Sequence, residues 1–145
     1  MTRRRISPKP IAELIEQVSL LIYSSNVGRS LKPSQWAALR FFDQAAPNVR
    51  TVSGFAEMNF TTNGSASQTI TTLVSKKCLE RIPDKSDGRR HSLRVTKSGK
   101  KLLANDPINI LSGAIGALPA VQQTQLAEII TSLYRDVYVK QGSHD

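Results

Sequence analysis

Ten of the twenty basic residues in this 145-residue chain lie between Lys76 and Lys101, in the run KKCLERIPDKSDGRRHSLRVTKSGKK. Only Glu80, Asp84 and Asp87 oppose them, so this window carries +7 of the net +9. A cation excess of this kind suits a polyanionic partner, for which nucleic acid and anionic membrane are the usual choices. From Leu102 onward four acids face two bases, so the excess belongs to one element rather than to the whole chain. Its most specific part is Asp87-Gly88-Arg89-Arg90. A guanidinium at a hairpin tip suits the negative potential of a narrow, A·T-rich minor groove. Asp87, two residues before Arg89, can orient it by a charge-assisted hydrogen bond. The plain alternative is an Asp-Gly turn with solvated charges.

These residues need a frame. The segment before the loop, Cys78 to Pro83, is apolar in character. After it, His91, Leu93 and Val95 alternate with Arg90, Ser92 and Arg94, the period of a half-buried strand. Together they predict a charged β-hairpin. Directly ahead lies TTNGSASQTITTLVSKK, where Thr62 is a good helix N-cap. Ala66, Ile70, Leu73 and Val74 form a narrow apolar stripe at helical spacing. Gly64, Ser65, Gln68, Thr71, Thr72 and Ser75 form the opposite, hydrogen-bonding face, with little charge before Lys76. The plain reading of that face is a solvated helix surface, against which its shortage of Lys, Glu and Arg argues.

Helices are expected on both sides. Ile11, Leu14, Ile15, Val18, Leu21 and Ile22 predict an amphipathic helix over 8–25, with Pro8 and Pro10 at its tolerant start. Pro33 opens a second helix with Trp36, Leu39 and Phe42 on one face, ending before Ala46-Pro47. A short third helix spans 52–58, with Val52, Phe55 and Ala56 inward. Beyond the hairpin, Thr96 caps a helix of about ten residues. Asp106-Pro107 interrupts it and starts another, with Ile108, Leu111, Ile115 and Leu118 in line. Leu126, Ile129, Ile130, Leu133 and Val137 mark a last helix over 120–139. The outermost stripes need a cover, either each other or a second copy across a dimer axis.

Other chemistries find little support. No apolar run is long enough to span a membrane, and MTRRRISPKP has no apolar core of the secretory kind. The single Cys78 cannot form an intramolecular disulfide, which fits a reducing cytoplasm. It is expected to be half-buried core rather than an activated thiol. His91 and His144 are too few and too far apart for a metal site. No nucleophile–base pair and no phosphate-cradling glycine loop is present, so neither catalysis nor a cofactor is expected. Arg3, Arg4 and Arg5 either form a DNA-contacting arm or are a disordered terminus.

At this point a family resemblance emerges. ERIPDKSDGRRHSLRVTKSGKKLL resembles the wing of the MarR (multiple antibiotic resistance regulator) family of transcriptional regulators. That wing reads Asp-x-Arg, a strand, then Leu/Val-Thr-x-x-Gly, met here by Asp87, Arg89, Val95, Thr96 and Gly99. LKPSQWAAL (31–39) is similar to the family's second helix, and FAEMNFTTNGSASQTITTLVSKKCLERI (55–82) aligns without gaps to its helix-turn-helix. The resemblance extends over about residues 10–140. It implies a mainly α fold with a small β-hairpin wing: a winged helix-turn-helix over 31–98, flanked by an arm and dimerisation helix (1–30) and by C-terminal dimerisation helices (99–145). It implies a homodimer on double-stranded DNA, with the helix 62–77 in the major groove and the wing in the minor groove.

Carried over by position, the DNA-contacting set is Thr62, Asn63, Ser65, Ser67, Gln68, Thr72, Lys76, Asp87, Arg89 and Arg90. Thr62 and Asn63 suit a phosphate at the helix N-terminus. Gln68 suits a bidentate contact to adenine. Ser65, Ser67 and Thr72 face bases or phosphates. Two departures stand out. Lys77 occupies a place often held by glycine, where a left-handed lysine costs on the order of 1 kcal/mol, so the helix end is expected to differ. Gln68 and Thr72 stand where arginine is frequent, which leaves more affinity to the wing.

The resulting expectation is a sequence-specific, ligand-responsive repressor in the cytoplasm, reading a pseudo-palindromic operator. Relatives often take small aromatic or phenolic effectors; Tyr23, Trp36, Phe41 and Phe42 supply apolar material there but equally suit plain core. The alternatives are a basic architectural or RNA-binding protein indifferent to sequence, and a winged helix that contacts protein.

Overall fold

A computed structural model describes residues 5–83 and 91–142. The chain divides into two compact units, Met1–Ile108 and Asn109–Asp145. The first holds, in order, α1 (Pro8–Ile22), a 3-10 turn (Gly28–Ser30), α2 (Pro33–Gln44), a second 3-10 turn (Pro47–Val49), α3 (Val52–Met58), α4 (Asn63–Ser75), β1 (Leu79–Pro83), β2 (His91–Val95) and α5 (Lys97–Leu103). α6 (Ile108–Gly116) and α7 (Ala120–Gly142) follow. The fold is mainly α with one antiparallel hairpin, a winged helix-turn-helix, as the sequence led us to expect.

Proline at the first helical position fixes the start of α2, where a missing N–H leaves nothing unsatisfied. The Gln35 side chain reaches back, its Oε1 accepting the Lys32 backbone N–H at 3.0 Å. From there α2 buries Trp36, Leu39 and Phe42 on one face. They meet Phe55 and Ala56 of α3, Ala66, Ile70 and Leu73 of α4, and Leu79, Leu93 and Val95 of the hairpin in one core. Phe41, Phe42 and Phe55 stack edge-on or tilted at centroid separations of 5.0 to 5.9 Å. The indole N–H of Trp36 donates to the Gly28 carbonyl at 3.1 Å, so the largest core side chain leaves no polar atom unpaired.

The hairpin pairs Leu79 with Val95 and Pro83 with His91. Its inner face supplies Leu79, Leu93 and Val95, while His91 is exposed rather than inward-packed. The Leu93 N–H donates to the Arg50 carbonyl at 2.8 Å, and Arg50 Nε donates to Ala45 O at 2.8 Å. These two bonds tie the hairpin to the segment ahead of α3.

Three local expectations change. α5 has seven residues rather than about ten, because the chain must leave helical geometry ahead of Pro107. Cys78 is buried rather than half-buried. Lys77 does take the left-handed conformation, with φ of 61°. The end of α4 is therefore the usual one despite the lysine: Cys78 N donates to Leu73 O at 2.9 Å and Lys77 N to Val74 O at 3.0 Å, the paired bonds of a Schellman cap. Lys77→Gly is expected to raise stability by about 1 kcal/mol, since glycine meets no Cβ penalty there. Urea unfolding checks this, and unchanged stability would show that the lysine stem compensates for the strain.

In the second unit, the Gln123 side chain staples the corner between α6 and α7, donating to Leu118 O at 2.8 Å. α7 buries no residue, and Ile129, Ile130, Leu133 and Val137 are all exposed.

Candidate nucleic-acid interface

α4 is held at both ends and from below. The Thr62 hydroxyl oxygen accepts the Ser65 N–H at 3.1 Å, satisfying one of the free donors of the first turn. Ala66, Ile70 and Leu73 have no exposed surface. This rigid seat determines which polar side chains look outward. Asn63, Ser65 and Gln68 are exposed, and among the described residues their side chains hold no hydrogen bond. Ser67 and Thr72 are half-buried. The Thr72 hydroxyl donates back to Gln68 O at 3.0 Å, and that of Thr69 to Ser65 O at 3.1 Å, so both are turned along the helix. Lys76 reaches away from the helix, its Nζ donating to Ser30 O at 3.3 Å. Asp87, Arg89 and Arg90 lie outside the described residues.

The root of the wing explains the Thr-x-x-Gly spacing. The Thr96 hydroxyl accepts the Gly99 N–H at 3.1 Å, capping α5, and donates to Lys77 O at 2.6 Å. Its backbone N–H donates to Cys78 O at 3.0 Å. One residue thus joins the end of α4, the end of β2 and the start of α5. Gly99 lets α5 lie against the turn between α4 and β1, for a Cβ there would come within 2.4 Å of Cys78 O. Burial raises the pKa of the Cys78 thiol, with the Lys76 charge opposing it, the reverse of an activated sulfur. Along the hairpin, Arg81 Nη2 donates to Thr71 Oγ1 of α4 at 3.2 Å. Glu80 pairs with Arg94 directly opposite it.

A second cluster escaped the sequence reading. Arg40 of α2 donates from Nε to Asp106 Oδ2 at 2.6 Å and from Nη2 to the Tyr23 hydroxyl at 3.1 Å. The other carboxylate oxygen of Asp106 accepts the Ile108 N–H at 3.0 Å, at the start that Asp106-Pro107 was expected to give the next helix. Burial alone would lower the Arg40 pKa, but its bonds to Asp106 and Tyr23 outweigh that and raise it. The ion pair therefore joins α2 to the segment that follows α5. Asp106→Ala is expected to cost roughly 2–3 kcal/mol, below the 3–5 kcal/mol of a fully buried pair because Arg40 keeps some solvent access. In urea unfolding, a loss no larger than that of Tyr23→Phe would show that the ion pair is energetically idle.

A groove of about 480 Å³ opens between α2, α3 and α4, lined among others by Lys32, Ser34, Gln35, Asn59, Ser65, Gln68 and Thr72. Among the described residues there is no cluster of three potential metal ligands. Among those same residues no helix is long and apolar enough to cross a membrane.

Residues 29–90 match the model of the MarR family. No curated protein matches the chain in sequence. Solved structures do match in fold. The S. aureus MepR–DNA complex is 17% identical with a TM-score of 0.72, covering 91% of this chain and 99% of that one. PcaV of Streptomyces coelicolor, solved with its natural ligand, is 18% identical with a TM-score of 0.70, covering 92% and 98%. A protein of Pseudomonas aeruginosa described as a probable transcriptional regulator is 20% identical with a TM-score of 0.65, covering 85% and 96%. Residues 29–90, which run from the 3-10 turn ahead of α2 through β1, are thus similar to the MarR family, and the chain shares the fold of the solved structures above.

Proposed function

We propose that the protein is a cytoplasmic, ligand-responsive repressor that binds a pseudo-palindromic operator as a homodimer. The observation carrying this reading is the outer face of α4, which offers Asn63, Ser65 and Gln68 to solvent on a helix anchored at both ends. Uncharged donors and acceptors on a rigid helix can distinguish base edges, whereas a lysine-rich face would only attract backbone. Gln68 reads adenine; Thr62 and Asn63 hold phosphate at the N-terminus of α4; Ser65, Ser67 and Thr72 make shorter contacts, and Lys76 adds charge at the far end. Arg89, oriented by Asp87 and assisted by Arg90, enters the minor groove. The solved MepR–DNA complex, alike in fold, supports double-stranded DNA as the partner.

The homodimer reading assigns 1–30 and 99–145 to the interface and 31–98 to DNA. The exposed apolar stripe of α1, formed by Ile11, Leu14, Ile15 and Val18, supports it. PcaV, alike in fold, was solved with its natural ligand, which supports a ligand-responsive role here; a small aromatic or phenolic effector is what the family resemblance suggests.

Titration against the protein's own upstream DNA and a scrambled duplex, each at two salt concentrations, tests the reading. A preference for the upstream duplex that survives high salt is expected. Equal affinity for both would leave only an architectural role. Arg89→Ala should weaken binding by about tenfold without unfolding the protein; unchanged affinity would remove the wing from the interface.

A further inference from the structure

We propose that the groove between α2 and α4 is a clamp for one phosphate of the DNA backbone, built from Lys32, Ser34 and Gln35. It rests on the DNA-binding reading and adds a contact on a helix that the recognition surface did not include.

Gln35 is the central residue of the clamp. It is 7% exposed and lines the groove, yet only one end of its amide is used. Oε1 accepts the Lys32 backbone N–H, and that bond fixes which way the amide faces. Nε2, with two N–H groups, has no acceptor among the described residues. Among the described residues no sealed side-chain nitrogen or oxygen lacks a partner, so Nε2 is open to the groove rather than shut away from it. A nearly buried amide held with its donors facing an open groove is a preorganised place for an anionic oxygen.

The neighbours agree in sign. Ser34 is the second residue of α2, after a proline that has no N–H, so its own N–H is a free donor at the positive end of a twelve-residue helix. Its hydroxyl is a further donor, and Lys32 brings an ammonium group. Among the described residues no aspartate or glutamate lines the groove. The opposite wall is α4, through Ser65, Gln68 and Thr72. When a helix lies in the major groove, the sugar-phosphate strand beside it runs along the helix flank. The shared wall with Ser65 and Gln68 puts that strand, rather than a free anion, within reach of the three α2 donors.

The test compares wild type, Lys32→Ala and Gln35→Glu on upstream and scrambled duplexes over a range of salt. Gln35→Glu keeps the acceptor for the Lys32 N–H but replaces the free donor with a negative oxygen. Both variants should lose about tenfold on either duplex, because a phosphate contact carries no sequence information. Lys32→Ala should also reduce the salt slope by about one. A scan of single neutral methylphosphonates should find one position at which wild type and Lys32→Ala bind equally. If both variants keep wild-type affinity and slope while the upstream duplex is still preferred, the clamp is wrong and the regulator reading stands. If no methylphosphonate removes the Lys32→Ala difference, the clamp is likewise wrong. If wild type binds neither duplex, the regulator reading fails and takes the clamp with it. Should Gln35→Glu unfold, the exposed Lys32→Ala still decides.

Discussion

Gly99→Ala is expected to destabilise the fold by roughly 2–3 kcal/mol and to weaken DNA binding even at temperatures where the protein stays folded. Overpacking a core usually costs about 1–3 kcal/mol, and here the clash is with backbone rather than a side chain that could rotate away. The new Cβ would lie 2.4 Å from Cys78 O and 2.8 Å from Val95 Cγ1. By contrast, a Cβ at Gly64 would meet only Thr62 Oγ1, at 3.9 Å. Relief at Gly99 requires α5 to lift from the hairpin root, or Cys78 to move. Either movement pulls on the Thr96 bonds to Lys77 O and Cys78 O, which locate the end of α4. The loss should therefore appear twice, in the urea midpoint and in DNA affinity measured well below the melting temperature. Normal affinity in a destabilised variant would mean that α5 and α4 move independently, and the coupling through Thr96 would be refuted.

That coupling shows where the sequence was legible and where it was not. Local signals carried their elements: Thr62 caps α4, Pro33 opens α2, and α3 spans Val52–Met58. Each is a matter of a few consecutive residues, so pattern and capping chemistry suffice. The Thr-x-x-Gly spacing was visible as a motif, but its reason was not, since it depends on a carbonyl twenty-one residues upstream of Gly99. Lys77 misled in a different way. A steric rule predicted a displaced helix end, whereas the packing of Leu73 and Cys78 on either side of the turn holds the lysine left-handed. Tertiary burial outweighs a local cost of about 1 kcal/mol.

The site was partly legible for the same reason. The outward residues of α4 follow from its apolar stripe, so Ser65 and Gln68 could be placed in advance. The Arg40–Asp106 pair joins residues 66 apart, and in sequence Asp106 showed only as part of a helix break with Pro107. The α2 donors were missed because Lys32-Pro33-Ser34-Gln35 looks like an ordinary helix start. Its significance depends on α4 forming the facing wall. Which way the hydroxyls of α4 donate was also hidden, since the back-bonds of Thr69 and Thr72 depend on side-chain rotamer rather than residue type.

Charged replacements at both Leu126 and Leu133 are expected to abolish the proposed homodimer. In the single chain α1 exposes Ile11, Leu14, Ile15 and Val18, and α7 exposes Ile129, Ile130, Leu133 and Val137. Fully covering a side chain of this size contributes about 1.5–3 kcal/mol, and a stable protein interface needs on the order of 1,200 Å² or more of buried surface. Two helices bearing several such residues are of the right scale. Aspartate at both positions would place four uncompensated carboxylates in a symmetric contact, since each substitution occurs in both copies. Burying them without partners costs several kcal/mol. The variant should therefore sediment with the 16.0 kDa mass of one chain rather than twice that value. Helical content should be retained, because neither leucine belongs to the buried core of the winged helix. DNA affinity should collapse as well. Two tethered reading helices gain from effective concentration, and one alone must bind a half-site unaided. A variant that still sediments at twice the chain mass would move the interface away from α7. A monomer that retained full operator affinity would mean that one winged helix suffices and that the pseudo-palindrome is not required.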